Sequence, residues 1–272
     1  MTHFVSRQWL LENLNNPHVV VVDCRFELSN PEWGYQQYLQ SHIPGAYYLD
    51  LDQDLSSPIQ KHGGRHPQPN PEQLAEKLAT MGVNWGETLV VAYDHFRCAF
   101  AARLWWLLRY FGHEKVALLD GGWHGWCGDD YPVTDELPQI KSGHFIPQLQ
   151  SDWLVDIETL KARKDSPGVI LVDSRDNYRY RGESEPIDPI AGHIPPAINL
   201  PWKEVTDEQG NLLPISQQQQ RWQPYKQASE IIVYCGSGVT ACVNLFSLSL
   251  VGINQGKLYA GGWSDWSSYL EF

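Results

Sequence analysis

The feature that most constrains the fold of this chain is an internal repeat. Four short motifs occur twice in the same order, and the second copy of each follows the first by about 140 to 151 residues. The pairs are VVVVDCR at 19–25 and VILVDSR at 169–175, HIPGA at 42–46 and HIPPA at 193–197, LVVAY at 89–93 and IIVY at 231–234, and DGGW at 120–123 and AGGW at 260–263. Four ordered matches are not expected by chance, so the chain is predicted to contain two copies of one module.

Each copy alternates short apolar runs with helical patterns. In the first copy, helices are predicted at 7–14 after the capping residue Ser6, at 71–81 and at 99–111, and strands from Val19, at 89–93 and at 116–119. Short buried strands between helices are typical of a parallel sheet covered on both faces. The expected fold class is therefore α/β, with two tandem domains at 1–138 and 152–272. The polar, aperiodic stretch after Gly128 supplies a linker at 139–151.

Composition excludes several kinds of partner. The 272 residues carry a net charge of −12, which argues against a nucleic-acid or anionic-membrane surface. No apolar run approaches the ~20 residues of a transmembrane helix, and the first ten residues lack a secretory pattern. The five scattered cysteines do not suggest a disulfide framework. We therefore expect a cytoplasmic protein with no nucleic-acid or membrane partner.

One cysteine stands where the second copy would bind a ligand. Residues 231–234 predict a buried strand, Cys235 follows at its C-terminal end, and a helix is predicted from Val239. In an open α/β sheet, ligands bind beyond the carboxyl ends of the strands. The turn between strand and helix can present its N–H groups to an anion.

The residues of this turn suit that task. Gly236 and Gly238 permit positive φ angles, and Ser237 and Thr240 add hydroxyl groups. A helix N-terminus also favours a thiolate over a thiol. These features predict a nucleophilic Cys235 that carries an anion. The alternative is a buried structural cysteine, since cysteine is among the most buried residue types, and the local sequence leaves both interpretations open.

The first copy differs at the matching position. Asp94 aligns with Cys235, and the turn 94–97 contains no glycine. We therefore expect the first copy to be inactive and unable to cradle an anion in the same way. Cys98 and Cys242 are expected to pack in the two cores, since the spacing of Cys242 from Cys235 fits neither a CxxC motif nor common zinc sites.

The loop CGSGVTA at 235–241 resembles the active-site loop of the 3-mercaptopyruvate sulfurtransferases, a branch of the rhodanese superfamily. DSR at 173–175, GHIP at 192–195 and GGW at 261–263 extend the resemblance over nearly the whole chain. It implies two rhodanese-like domains, of which the second is catalytic and forms a persulfide on Cys235. It further implies transfer of the sulfur to a thiol or cyanide, with thioredoxin among the candidate acceptors, and no metal or organic cofactor.

The resemblance also bears on the sulfur donor. Thiosulfate-specific rhodaneses place basic side chains in the loop, where this chain has neutral residues from Gly236 to Thr240, including Val239. This resembles the branch whose donor is 3-mercaptopyruvate, a 2-oxo acid that needs a carboxylate clamp. Arg179, in RYRG at 179–182, matches the family's clamp motif. A surface ion pair is the alternative for this arginine.

One part of the family's pattern is absent. Relatives often carry a second arginine after a Glu-Pro pair, whereas Ile187 occupies that position here. Thiosulfate therefore remains open as the alternative donor. A non-catalytic sulfur carrier and a Cdc25-type phosphatase are more remote alternatives, and the phosphatase would need an arginine where this chain has Ala241.

The resemblance implies a proton relay as well. In the mercaptopyruvate branch, the loop serine acts with a histidine and an aspartate of the first copy to protonate the leaving enolate. The matching residues are Ser237, His66 and Asp52. Alternatively, His66 is an ordinary polar loop residue. Asp173 and His193 recur in the inactive copy and are expected to brace loops.

Overall fold

The computed structural model describes residues 3–270. Within it, the chain divides into two compact units. The first contains residues up to 57, 69–150 and 206–212, and the second contains 58–68, 151–205 and the residues from 213 onward. Each unit thus includes a short segment that comes from the other half of the sequence.

The first unit is built on a five-stranded parallel sheet with strand order β1-β5-β4-β2-β3. Its strands are β1 (Phe4–Val5), β2 (Val19–Asp23), β3 (Tyr47–Tyr48), β4 (Leu89–Tyr93) and β5 (Val116–Leu119). Its helices are α1 (Arg7–Asn13), α2 (Glu32–Gln40), α3 (Pro71–Thr80), α4 (Ala101–Tyr110) and α5 (Gly122–Gly128).

The second unit repeats this topology with strand order β6-β10-β9-β7-β8, again parallel throughout. Its strands are β6 (Leu154–Val155), β7 (Val169–Asp173), β8 (Ile198–Asn199), β9 (Glu230–Tyr234) and β10 (Gly256–Tyr259). Its helices are α6 (Ile157–Arg163), α7 (Asn177–Tyr180), α8 (Ile215–Trp222), α9 (Ala241–Leu250) and α10 (Gly262–Ser267), with 3-10 turns at Ser151–Trp153, Trp202–Val205 and Gln223–Tyr225. The predicted α/β class with two parallel sheets is confirmed.

Local chemistry explains where the helices begin. The Ser6 hydroxyl accepts the Trp9 N–H at the start of α1, as predicted. Asn70 caps α3 in the same way, with Pro71 in the first turn. The central strand β9 is buried at all five residues, which explains the continuous apolar run of the four residues after Glu230.

Matching residues of the two sheets are braced alike. The carboxylate of Asp173 accepts the Arg175 side chain at 2.6 Å, and Asp23 pairs with Arg25 at 2.7 Å. The His193 ring stacks on Tyr180 with centroids 4.0 Å apart. These contacts fit the predicted structural roles of Asp173 and His193.

Several elements were not predicted from the sequence. The two-residue strands such as β3 and β8 are too short for a periodic pattern, and α2 buries only Gly34 and Tyr38, so it lacks a clear apolar face. Across residues 3–270, the model contains no helix with the length and apolarity that a membrane crossing requires.

Candidate active site

Cys235 lies between the central strand β9 and helix α9 of the second unit, and it is 2% exposed. Its backbone is fixed on the far side by α10. The Trp263 N–H donates to the Cys235 carbonyl and the Ser264 N–H donates to the Gly236 carbonyl, both at 2.8 Å. Cys242, in the first turn of α9, is fully buried, as expected.

The two loop glycines have different roles. Gly238 adopts a φ of 76°, and a Cβ there would lie 2.3 Å from the Ala260 carbonyl oxygen. Gly236 does not adopt a positive φ, so the prediction for that residue is wrong. Glycine at 236 instead leaves room for two arginine side chains, because a Cβ there would lie 2.9 Å from Nη2 of Arg65 and 3.5 Å from Nη2 of Arg179.

The corresponding turn of the first unit binds an anion of its own. The Asp94 carboxylate accepts N–H groups from Phe96 at 2.7 Å, Cys98 at 3.1 Å, and both Phe100 and Ala101 at 2.8 Å. Burial raises the pKa of Asp94, and these donors oppose the rise.

The turn does hold an anion, namely its own Asp94 side chain, so the lack of glycine is the wrong reason to expect a difference from the second turn; the inactivity of the first copy stays a prediction. The turn needs no glycine, because Arg97 and Cys98 themselves adopt φ angles of 56° and 60°. Burial raises the pKa of the Cys98 thiol well above its ordinary value, so the neutral thiol is favoured there.

Ser237 and His66 meet in the second unit. Nδ1 of His66 lies 2.7 Å from the Ser237 hydroxyl oxygen, and each residue is 5% exposed. His66 belongs to the segment 58–68, which is part of this unit. The sequence alternative of an ordinary polar loop residue does not account for this buried contact.

The segment that carries His66 is held by α10 and the residues after it. The Gly63 N–H donates to Oδ1 of Asp265 at 2.7 Å, and the Tyr259 hydroxyl donates to the other oxygen of Asp265, also at 2.7 Å. His62 stacks on Tyr269 with centroids 4.1 Å apart. These contacts fix the approach of the segment to the Cys235 loop.

Asp52 lies in the first unit, in the turn after β3. Its N–H donates to the Asp50 carboxylate at 2.8 Å. Its part in a proton relay stays a prediction.

Arg179 extends from α7 and is held by two carboxylates. Its Nη2 lies 2.6 Å from Glu185 and 3.3 Å from Asp188, and its side chain is only 11% exposed. The pairing is therefore partly buried rather than on the surface. Although burial acts to raise it, the pKa of Glu185 is lowered by the hydrogen bond from Arg179.

A second arginine that the sequence analysis missed reaches the same place. Arg65 pairs with Asp188 and, as its distance from Gly236 indicates, lies against the Cys235 loop. Ile187, which occupies the position of the family's second arginine, is 44% exposed. The one sequence feature that could have pointed to Arg65 is its position directly before His66. The second arginine was expected after Glu185-Pro186, far from Arg65 in the sequence.

No metal site accompanies these residues. Within residues 3–270, no group of three or more His, Cys, Asp or Glu side chains is arranged to hold a metal ion. The candidate site brings together a thiol, a serine–histidine pair and two guanidinium groups paired with carboxylates, all within the second unit.

Comparison with known proteins identifies the family of this chain. A family model described as "Rhodanese-like domain" matches residues 6–129 and 156–269. The chain belongs to the rhodanese family. The two matches of the rhodanese-like domain coincide with the two repeats predicted from the sequence.

Members of the rhodanese family resemble this chain over nearly its full length. A probable 3-mercaptopyruvate sulfurtransferase of Pseudomonas aeruginosa is 43% identical over 96% of this chain and 94% of its own. A putative thiosulfate sulfurtransferase of Mycobacterium tuberculosis, SseB, is 35% identical over 92% and 88%. The crystal structure of SseA from Escherichia coli, described as a 3-mercaptopyruvate sulfotransferase, aligns with a TM-score of 0.82 and 32% identity over 97% of this chain and all of SseA.

Proposed function

We propose that this protein is a sulfurtransferase that moves a sulfane sulfur from 3-mercaptopyruvate to a thiol or cyanide through a persulfide on Cys235. The observation that carries the proposal is the joint presence of the Ser237–His66 pair and two arginines around the Cys235 loop. The names of the P. aeruginosa and E. coli relatives support the same activity.

The reaction divides into two displacements. The Cys235 thiolate attacks the donor sulfur, the carbon–sulfur bond breaks, and its electron pair leaves on the carbon fragment as the enolate of pyruvate. The acceptor nucleophile then attacks the outer sulfur of the persulfide and releases the Cys235 thiolate. The turn 236–240 holds the persulfide anion, as the matching turn holds the Asp94 carboxylate.

The enolate needs a proton as the carbon–sulfur bond breaks. The Ser237 hydroxyl, hydrogen-bonded to His66, is the group in the loop that can donate it. His66 then returns a proton to the serine. Asp52 is proposed to assist His66, as the family resemblance implies.

The donor carboxylate is proposed to bind at Arg179 and Arg65. A guanidinium matches a carboxylate with two parallel N–H donors. Arg65 makes up for the arginine that is missing at Ile187. Since Gly236 leaves room for both guanidinium groups, the positive charge comes from outside the loop rather than from a loop arginine.

Thiosulfate is the second candidate donor. Two guanidinium groups also suit a sulfonate-like anion, and the M. tuberculosis relative is named a putative thiosulfate sulfurtransferase. We further propose thioredoxin or a small thiol as acceptor and a cytoplasmic location, which fits the presence of all five cysteines as thiols.

Mass spectrometry of the intact protein tests the covalent step. After incubation with 3-mercaptopyruvate and removal of excess donor, we expect a mass increase of one sulfur atom, located on the peptide that contains Cys235. The increase should be absent in Cys235→Ser and present in Cys242→Ser. A sulfur found on another cysteine, or none at all, would refute the proposed function.

A further inference from the structure

Asp188 occupies the place between the two arginines of the active site. Its side chain is 2% exposed. One of its carboxylate oxygens contacts Nη1 of Arg65, and the other lies 3.3 Å from Nη2 of Arg179. The protein thus already holds one anion where the donor carboxylate is proposed to bind.

The two neighbouring carboxylates do not pair with Arg65. Glu185 forms salt bridges with Arg175 at 3.1 Å and with Arg179 at 2.6 Å. Asp173 forms a salt bridge with Arg175 at 2.6 Å. Asp188 alone among these three contacts Arg65, whose other terminal nitrogen lies nearest to the Cys235 loop. Asp188 is therefore the one of these three carboxylates that pairs with both Arg65 and Arg179.

The whole cluster is formally neutral. Its charged members are three arginines and three carboxylates, namely Arg65, Arg175, Arg179, Asp173, Glu185 and Asp188. An incoming anion therefore finds guanidinium donors but no net positive charge. Burial raises the pKa of Asp188, because removal from water disfavours the negatively charged form of a carboxylate.

We propose that Asp188 sets the charge of the sulfur donor, and that it makes the site favour a singly charged carboxylate over a doubly charged anion such as thiosulfate. The inference rests on the proposed function. The Coulomb energy between Asp188 and a ligand scales with the ligand's charge, so a dianion is repelled about twice as strongly as a monoanion at equal distance. A binding site can gain specificity by placing a like charge where it lowers the affinity for the competing ligand.

Equilibrium binding of unreactive anions tests this without any sulfur transfer. Pyruvate serves as the monoanion and sulfate as the dianion, titrated calorimetrically at pH 8 into Cys235→Ser and into Cys235→Ser/Asp188→Asn. We expect the neutral variant to bind pyruvate about tenfold more tightly and sulfate on the order of a hundredfold more tightly, because the gain scales with ligand charge.

Three further variants make the result specific. Glu183→Gln removes an exposed carboxylate from the same segment, where it pairs with Arg181, and should change neither affinity. Asp188→Glu keeps the charge and should retain a preference for pyruvate. Asp188→Ser is a second neutral variant in case the asparagine protein does not fold.

The outcomes are distinct. Equal factors for the two anions, or no change, would overturn the assignment of Asp188 as a specificity-determining residue. Failure of Cys235 to form a persulfide would overturn the proposed function instead, and the anion affinities would still be measurable. In the active protein, the same substitution should raise kcat/KM for thiosulfate more than for 3-mercaptopyruvate.

Discussion

The turns after strands β4 and β9 have the same frame and different contents. In both, a tryptophan N–H donates to the first residue of the turn at 2.8 Å, from Trp123 to Asp94 and from Trp263 to Cys235. The first turn holds its own carboxylate on four N–H groups, and the second presents a sulfur. The comparison teaches that this frame can hold an anion on backbone N–H groups, and under the proposed function the residue at its first position decides whether that anion is a permanent side chain or a transferable sulfur.

The surroundings of the two turns differ as well. The second has the Ser237–His66 pair and two arginines, whereas the first has Arg97 turned to Thr206 at 2.9 Å. Near the first turn, desolvation raises the pKa of the Cys98 thiol, although Cys98 is half-buried rather than in the core as expected. Of the groups found only around the second turn, His66 and Arg65 come from the segment 58–68.

Cys235→Asp would convert the second turn into a copy of the first. We expect sulfur transfer to fall to background, since no nucleophile remains. The thermal unfolding temperature should stay close to that of Cys235→Ser, because the N–H groups of the turn can bind the new carboxylate. A Cys235→Asp protein much less stable than Cys235→Ser would show that the two turns are not equivalent cradles.

His66→Ala tests what the second turn has and the first lacks. We expect kcat for 3-mercaptopyruvate to fall by roughly 100-fold or more, as loss of an acid–base group commonly does. With thiosulfate the fall should be small, because the leaving sulfite needs no proton. His95→Ala, in the first turn, is the matched control, and an equal effect of both substitutions on kcat would contradict the proton relay.

Asp94→Ala empties the first cradle. Four N–H groups lose a buried charged acceptor, so we expect the free energy of unfolding to fall by about 2–4 kcal/mol. Chemical denaturation followed by circular dichroism would measure the loss. The kcat of the folded protein should be unchanged, since the first turn takes no part in sulfur transfer. An unchanged free energy of unfolding would show that the four hydrogen bonds to Asp94 do not contribute to stability.

Arg179→Ala tests the carboxylate clamp. We expect KM for 3-mercaptopyruvate to rise roughly tenfold to hundredfold, the range for a lost charged hydrogen bond, with a smaller change in kcat. Cys98→Ser, in the first turn, should alter KM by less than about twofold. Equal effects of the two substitutions on KM would contradict the assignment of Arg179 to the donor-binding site.

Much of this account follows from the sequence for physical reasons. The strands β2, β4, β7 and β9 are continuous apolar runs because parallel strands are buried on both faces, and the repeat of these runs predicts two sheets. Cys235 could be identified because glycines and a helix start follow it directly. Information of this kind is local.

Other features depend on contacts between distant parts of the chain. Arg65 pairs with Asp188, which lies 123 residues later in the sequence, and no local pattern near either residue predicts the pair. The placement of the segment 58–68 with the second unit is equally invisible to periodicity. The Asp94 cradle cannot be recognised from glycine content, because Arg97 adopts the left-handed backbone without being glycine.

The most direct test is kcat/KM for sulfur transfer to cyanide, measured with 3-mercaptopyruvate and with thiosulfate as donors, in the wild type and in Cys235→Ser. The account predicts a clear preference for 3-mercaptopyruvate and no activity in the variant. A clear preference for thiosulfate would contradict the assignment of Arg65, Arg179 and Asp188 to a singly charged carboxylate. Activity retained in Cys235→Ser would contradict the mechanism as a whole.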